Sequence, residues 1–389
     1  MDLKLVQERI QNAIKPMESE SLDEYFWGMR SEAGRSLPPY YLVYFLLVDL
    51  LKFNNRGLEE KVAFSIPVKI NGTILIVEHR KLGLGIFIKC AEDEDKAEAV
   101  VRCINAGVKA GKTYFNALAD NAAKGSNLNV NNNSNVLFER FCYFSNIYNN
   151  KCKEVEDNQK LQVKKDPTMD CEDFDDFPDQ LKTIFDISNK TNELRREAMW
   201  CAMAAIEAFF SWTEHVFILI AILQGKIKTG KDVADKIGEE WGTKFKLAIN
   251  IDSSDTKKFY DCLLALRKQI RNFVSHGSFG KDGQALEFHS TVGAVPLLMP
   301  HRQSKEHFKF GNGITFLAPE AMRLLSDFID NMWSGGLSLA KIYIESGMPL
   351  ILSYVINGTY AEAMSSEDEM VSFVDYLTRS FDDAANMDW

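Results

Sequence analysis

The chain has 389 residues, of which 46% are hydrophobic and 26% charged, and its formal net charge is −10. That length exceeds one ordinary hydrophobic core and suits two domains, while the composition excludes an intrinsically disordered protein. The acidic balance also excludes a protein that coats nucleic acid through bulk electrostatics, and leaves room only for a local basic site.

Residues 1–60 read as helical, first as an amphipathic segment and then, after Pro38-Pro39, as a strongly apolar one through Leu51. The opening M-D-L-K-L-V-Q-E-R-I has no basic n-region and no long apolar stretch, so it does not read as a signal peptide. From residue 62 the period changes. Alternating segments at 62–70 and 73–79 are joined by Asn71-Gly72, the pair a tight type I′ turn favours, and Leu84 to Cys90 extends them into a small antiparallel meander. Asp93 and Asp95 offer N-cap chemistry for a helix running to about Ala123 over one face of that sheet. The polar run at 125–135 reads as a loop.

Residues 151–180 join a lysine-rich piece to an acidic one with little periodicity, and read as a linker. The expected fold is mainly α. An N-terminal α/β domain with a small antiparallel sheet occupies 1–150, with a sensor or regulatory role, a helical bundle occupies 181–345, and an acidic helical tail occupies 346–389. Within the bundle, helices are expected at roughly 192–224, 229–248 and 255–276. A strand-like or irregular insert follows at 283–317, then a helix from Pro319 to about Ile344 with a break at Gly335-Gly336. The apolar runs at 42–51 and 216–223 fall short of the roughly 20 residues a membrane span needs, so both read as buried core helices.

The seven cysteines show no C-x-x-C pair and no metal-ligand spacing with histidine, so they read as reduced thiols of a cytoplasmic protein, and no metal or cofactor is expected. G-V-K-A-G-K-T at 107–113 imitates a phosphate-binding loop, but it has three residues between its glycines where four are needed and lies inside a predicted helix. Nucleotide hydrolysis is rejected on both counts.

The chemistry concentrates at R-N-F-V-S-H-G, residues 271–277. Phe259, Leu263, Leu266, Ile270 and Phe273 recur at helical spacing and form one apolar stripe. At 100° per residue, Arg271, Asn272 and His276 fall at about 120°, 220° and 260° from Phe259, away from that stripe. Asn272 and His276 share a face, and Gly277 follows as a C-cap that puts the histidine at the last turn. Such a trio suits metal-independent RNA cleavage, because a histidine shuttles protons near neutral pH and an arginine clamps the phosphate, with the asparagine orienting either one.

This run resembles the active-site motif of the HEPN ribonucleases: Arg, a polar residue, a short spacer, then His, frequently followed by Gly. The resemblance extends over the helix layout of about 180–345 and says nothing of residues 1–150. It implies a helical domain that dimerises so that two motif helices build one composite site. It also implies attack of a ribose 2′-hydroxyl on the adjacent phosphate, leaving a 2′,3′-cyclic phosphate and a 5′-hydroxyl without a metal. Free-standing bacterial proteins of this kind are commonly toxins or anti-phage abortive-infection effectors, held in check until a phage-derived or cellular trigger acts. The alternative under the same resemblance is a non-catalytic HEPN module that dimerises and binds a nucleotide or a protein.

Around the motif, Tyr260 and Leu264 are expected on the outward side as a homodimer interface. Glu207 and Glu214 share one face of an otherwise apolar helix, where unpaired carboxylates are costly. Either one of them, Glu207 by slight preference, holds Arg271, or both lie on a solvated edge. His215 reads as a packed histidine. His301, Arg302, Lys305, His307 and Lys309 form a basic patch that reads either as a guide for RNA phosphates or as a solvated loop.

Overall fold

The computed structural model describes residues 3–22, 26, 28–164, 177–271, 286–298, 309–311 and 316–387. It is mainly helical, with a five-stranded antiparallel sheet in the N-terminal region. The chain divides into two compact units, Met1–Leu128 with Ser372–Trp389, and Asn129–Val371.

The first unit opens with helix α1 (Leu3–Ile14), which buries Ile10 and Ile14. The expected continuous helical reading of 1–60 gives way after α1 to two short strands, β1 (Glu18–Ser19) and β2 (Met29–Arg30). Helix α2 (Tyr40–Tyr44) then starts directly after Pro39 and continues as a wider π turn over Phe45–Leu50. The hairpin forms where the period placed it, as β3 (Val62–Ile70) and β4 (Thr73–Arg80). Asn71 at φ 48° and Gly72 at φ 80° supply the two positive angles that a type I′ turn requires. Strand β5 (Gly83–Ile88) completes the meander, and the order β1-β3-β4-β5-β2 leaves only two-residue strands at the edges.

One face of the sheet, including Ile66, Val68, Val77 and Ile86, packs with α1 and with Ala97, Val100 and Ile104 of α3 (Glu94–Ala110). The single long helix expected up to Ala123 is two helices, α3 and α4 (Lys112–Lys124), separated at Gly111. Glycine is a poor helix former, and close packing retains it here. A Cβ on Gly107 would meet Ile14 Cγ2 at 2.8 Å, and one on Gly111 would meet Ile10 Cδ1 at 3.2 Å. Asp93 precedes α3 but makes no capping bond. Its carboxylate instead accepts from Lys96 Nζ and Cys90 Sγ.

The second unit begins earlier than the composition suggested. The asparagine-rich run expected as a loop forms strand β6 (Asn129–Val130), and α5 (Ser134–Lys164) then runs through the start of the expected linker. These asparagines serve the backbone. Asn132 Nδ2 donates to the carbonyls of Ile344 and Met348, while the Asn133 N–H donates to His215 Nε2. Residues 165–176 lie outside the described ones.

Helix α5 packs along α6 (Phe177–Leu223) through Phe138 on Trp212 and Phe141 on Phe209, and the Trp212 indole N–H donates to Ser134 Oγ. By length and composition an 18-residue window of α6 suffices to cross a membrane, and 78% of that window is buried inside the fold. The expectation that the apolar run was too short therefore held for 216–223 alone and not for the whole helix, which here forms the centre of the bundle.

The segment expected as one helix over 229–248 is two, α7 (Gly230–Ile237) and α8 (Trp241–Ala248). Thr229 and Asp232 start α7 with a reciprocal capping box. Helix α9 (Ser254–Ile270) starts at Ser253, whose hydroxyl accepts from the Thr256 N–H. The insert contains strands β7 (Leu286–Ser290), β8 (Gly293–Leu298) and β9 (Lys309–Phe310), paired antiparallel in that order. Helices α10 (Ala318–Trp333) and α11 (Ser338–Glu345) follow, interrupted where Gly335 takes φ 81°. Strand β10 (Leu350–Ile351) pairs with β6. The tail is α12 (Leu352–Ile356), α13 (Thr359–Ala363) and α14 (Glu367–Asn386), and residues of α14 from Ser372 onward belong to the first unit.

Candidate active site

Three helices, α6, α8 and α9, meet around Glu214, and the last of them, α9, leads into Arg271. Helix α8 docks on α6 because Trp241 is buried against Phe210 and Phe217, and its indole N–H donates to Thr213 Oγ1 at 2.9 Å. That contact places Lys244, one turn after Trp241, beside Glu214 of α6. Lys244 Nζ lies 2.8 Å from Glu214 Oε2, and Arg267 Nη2 of α9 lies 2.6 Å from Glu214 Oε1. The Arg267 guanidinium also faces the rings of Phe210 and Trp241, at 5.6 Å and 6.0 Å from their centres.

One carboxylate thus serves two cations. Arg267 Nη1 is buried and has no hydrogen-bond partner. Burial pushes the Glu214 carboxyl upward, but the Lys244 hydrogen bond and the Arg267 charge outweigh it and hold the pKa below the ordinary carboxylate value. Lys244 is almost wholly buried, with 5% of its side chain exposed. Removing Glu214 would therefore leave an uncompensated charge in a poor solvent.

The apolar stripe of α9 faces the core as expected. Leu263, Leu266 and Ile270 are buried and Phe259 packs on Phe328. Arg271 follows α9 and is exposed, in right-handed helical geometry, with its N–H bonded to the carbonyls of Arg267 and Lys268. At one turn's separation, Arg267 and Arg271 share a side of the helix. Asn272, Phe273, His276 and Gly277 lie outside the described residues, as do His301, Arg302, Lys305 and His307. Lys309 is exposed on β9, opposite Leu298.

Two expectations need correction. Glu207 is exposed, and the carboxylate that engages an arginine is Glu214, whose arginine is Arg267. The reason is depth: Glu214 sits where α6 meets both α8 and α9, whereas Glu207 lies two turns earlier on the solvent side. Tyr260, expected on the outward side, is half-buried. Its ring is stacked on Trp241 and edged by Phe245, and Lys246 Nζ lies 4.8 Å above it. Gly242 makes room for it, since a Cβ there would meet the Tyr260 hydroxyl at 2.9 Å. Leu264 is 41% exposed, as an outward position requires.

Arg267 and Lys244 went unremarked in the sequence. The available signal was Glu214 itself, a carboxylate in an apolar helix that demands cations from elsewhere. His215 is a packed histidine, its Nε2 accepting the Asn133 N–H and its pKa lowered by burial.

A cleft of about 400 Å³, lined in part by Thr256, Asn250 and Asn331, lies at the other end of α9 from Arg271. Fifteen residues of helix separate Thr256 from Arg271, or about 22 Å. Among the described residues no three His, Cys, Asp or Glu side chains cluster closely enough to hold a metal ion. Comparison of the chain with protein-family models, with curated proteins and with solved structures gives no match.

Proposed function

We propose that the protein is a metal-independent endoribonuclease, with His276 as the proton shuttle, Arg271 as the phosphate clamp and Asn272 as the orienting residue. The observation that carries this reading is the contrast between two arginines one turn apart. Arg267 is braced by Glu214 and the Phe210 and Trp241 rings, while Arg271 is exposed at the end of the same helix. A braced helix end holding an exposed guanidinium is a rigid mount for phosphate recognition, and the proposal has His276, five residues further along the chain, act on the same phosphodiester.

The reaction that fits is transesterification. The 2′-hydroxyl gives up its proton as its oxygen bonds to phosphorus. The bond to the 5′-oxygen breaks, and that oxygen takes a proton, leaving a 2′,3′-cyclic phosphate and a 5′-hydroxyl. In a homodimer two motif helices meet, and one copy's histidine serves as base while the other's serves as acid. The role is that of a cytoplasmic toxin or anti-phage effector with a phage-derived or cellular trigger.

The test is incubation of the full chain with total RNA in excess EDTA beside Arg271→Ala and His276→Ala. Cleavage by the unaltered chain alone, with cyclic phosphate ends, supports the reading. Equal cleavage by all three, or cleavage only on addition of a divalent metal, overturns it.

A further inference from the structure

The sheet of the first unit has a second face, turned away from α1 and α3. On it stand Ser65, Ile76, Glu78, Arg80, Phe87 and Arg30, because residues two apart along a strand share a face and Arg30 is directly opposite Phe87 in the ladder. This face lines an open cleft of about 640 Å³, within the size range of small-molecule sites.

Its charge differs from that of the chain. Arg30, Arg56, Lys61, Arg80 and Lys81 line the cleft against three carboxylates, Glu59, Glu60 and Glu78, an excess of two positive charges in a protein of net charge −10. The cations are held in place. Arg80 lies 3.8 Å above the centre of the Phe87 ring, and its Nε donates to Glu78 at 2.6 Å. Glu78, itself 7% exposed, is fixed from behind by the Ser65 hydroxyl. This bond uses Nε, which leaves both Nη groups of Arg80 for a ligand. Arg30 is tied to the β4–β5 turn through the carbonyls of Leu82 and Leu84, which engages its two Nη groups without cancelling its charge. It can lie there because residue 85 is glycine, where a Cβ would stand 2.8 Å from Arg30 Nε. At the rim, Lys61 and Lys81 direct their ammonium groups at oxygens of Asn386, the last residue of α14.

We infer that this cleft binds a phosphorylated small molecule, with the phosphate on the Nη edge of Arg80 and within reach of Lys81. A planar guanidinium fixed on an aromatic ring is a preorganised bidentate partner for an oxyanion. The excess of two positive charges suits a phosphate near its dianionic form better than a single carboxylate. Val62 and Leu82 supply apolar wall for the organic part of the ligand.

The experiment is calorimetric titration of the full chain with inorganic phosphate, pyrophosphate and a nucleoside diphosphate, with citrate as the carboxylate control. Saturable binding of the phosphates, weaker binding of citrate, and a loss of about tenfold or more in Arg80→Gln support the site. Because Arg80→Gln disturbs Glu78, Lys81→Gln on the exposed turn provides a second variant. It keeps the melting temperature of the free protein and weakens pyrophosphate binding several-fold. No saturable binding of any phosphate, unchanged affinity in both variants, or citrate binding as tightly as pyrophosphate would overturn the assignment.

Discussion

Glu214 Oε1 lies 2.6 Å from Arg267 Nη2, across the junction of α6 and α9, and its other oxygen holds Lys244. This junction fixes the direction in which α9 ends, and therefore where Arg271 is presented. Glu214→Gln should destabilise the protein by about 2 kcal/mol in denaturant unfolding, less than for a fully buried pair because Glu214 and Arg267 keep partial access to water. Glu207→Gln, at an exposed position on the same helix, should leave the midpoint unchanged. Equal effects would mean that the junction contributes nothing.

The Glu214 carboxyl is more acidic in the folded chain than when unfolded, so its contribution is complete above the unfolded value and fades as the pH falls through the folded one. Unfolding midpoints followed downward from pH 5 should fall more steeply for the unaltered chain than for Glu214→Gln. Parallel curves would remove Glu214 from the acid limb.

His215 shows the same linkage at higher pH. Burial lowers its pKa, so the neutral ring that accepts the Asn133 N–H is favoured in the fold, and stability declines as the pH drops below the unfolded value near 6.5. His215→Gln, which retains an acceptor, should flatten the decline in melting temperature between pH 7 and 5. A variant that melts along the same curve would contradict this.

Under the ribonuclease reading, Arg271→Ala should reduce cleavage about 10²–10³-fold and His276→Ala about 10²–10⁴-fold, with unchanged melting temperatures. Arg267→Gln should combine a lower melting temperature with a smaller loss of rate, because it acts through the position of α9. A full loss of cleavage with no change in stability would assign Arg267 a direct contact with RNA instead.

Tyr260 and Leu264, one turn apart on α9, should separate cleanly. Tyr260→Ala empties space against Trp241 and Phe245 and should cost about 3 kcal/mol. Leu264→Arg should leave stability intact and convert a dimer to monomer in sedimentation at micromolar concentration. A monomeric unaltered chain would exclude the homodimer.

Local rules made parts of this protein legible before any fold was known. Asn71-Gly72 between two alternating segments specifies its own turn, since both positive angles are accessible without tertiary help. The stripe of Leu263, Leu266 and Ile270 likewise follows from a 3.6-residue period. Where sequence reading failed, the competing force was long-range. The helix divides at Gly111, against which Ile10 packs, and Asn132 resembled part of a loop because its partners Ile344 and Met348 lie more than 200 residues away.

The site divides in the same way. The order of residues in R-N-F-V-S-H-G, and the exposure of Arg271 opposite the stripe, are properties of one helix and its period. Which carboxylate braces that helix was decided by tertiary structure, because Glu214 meets partners 30 and 53 residues distant only after α8 and α9 have docked on α6. A carboxylate's need for a cation can be read from one segment of chain, but which cation answers it depends on packing, because charges in a poor solvent pair with whatever the core brings within reach.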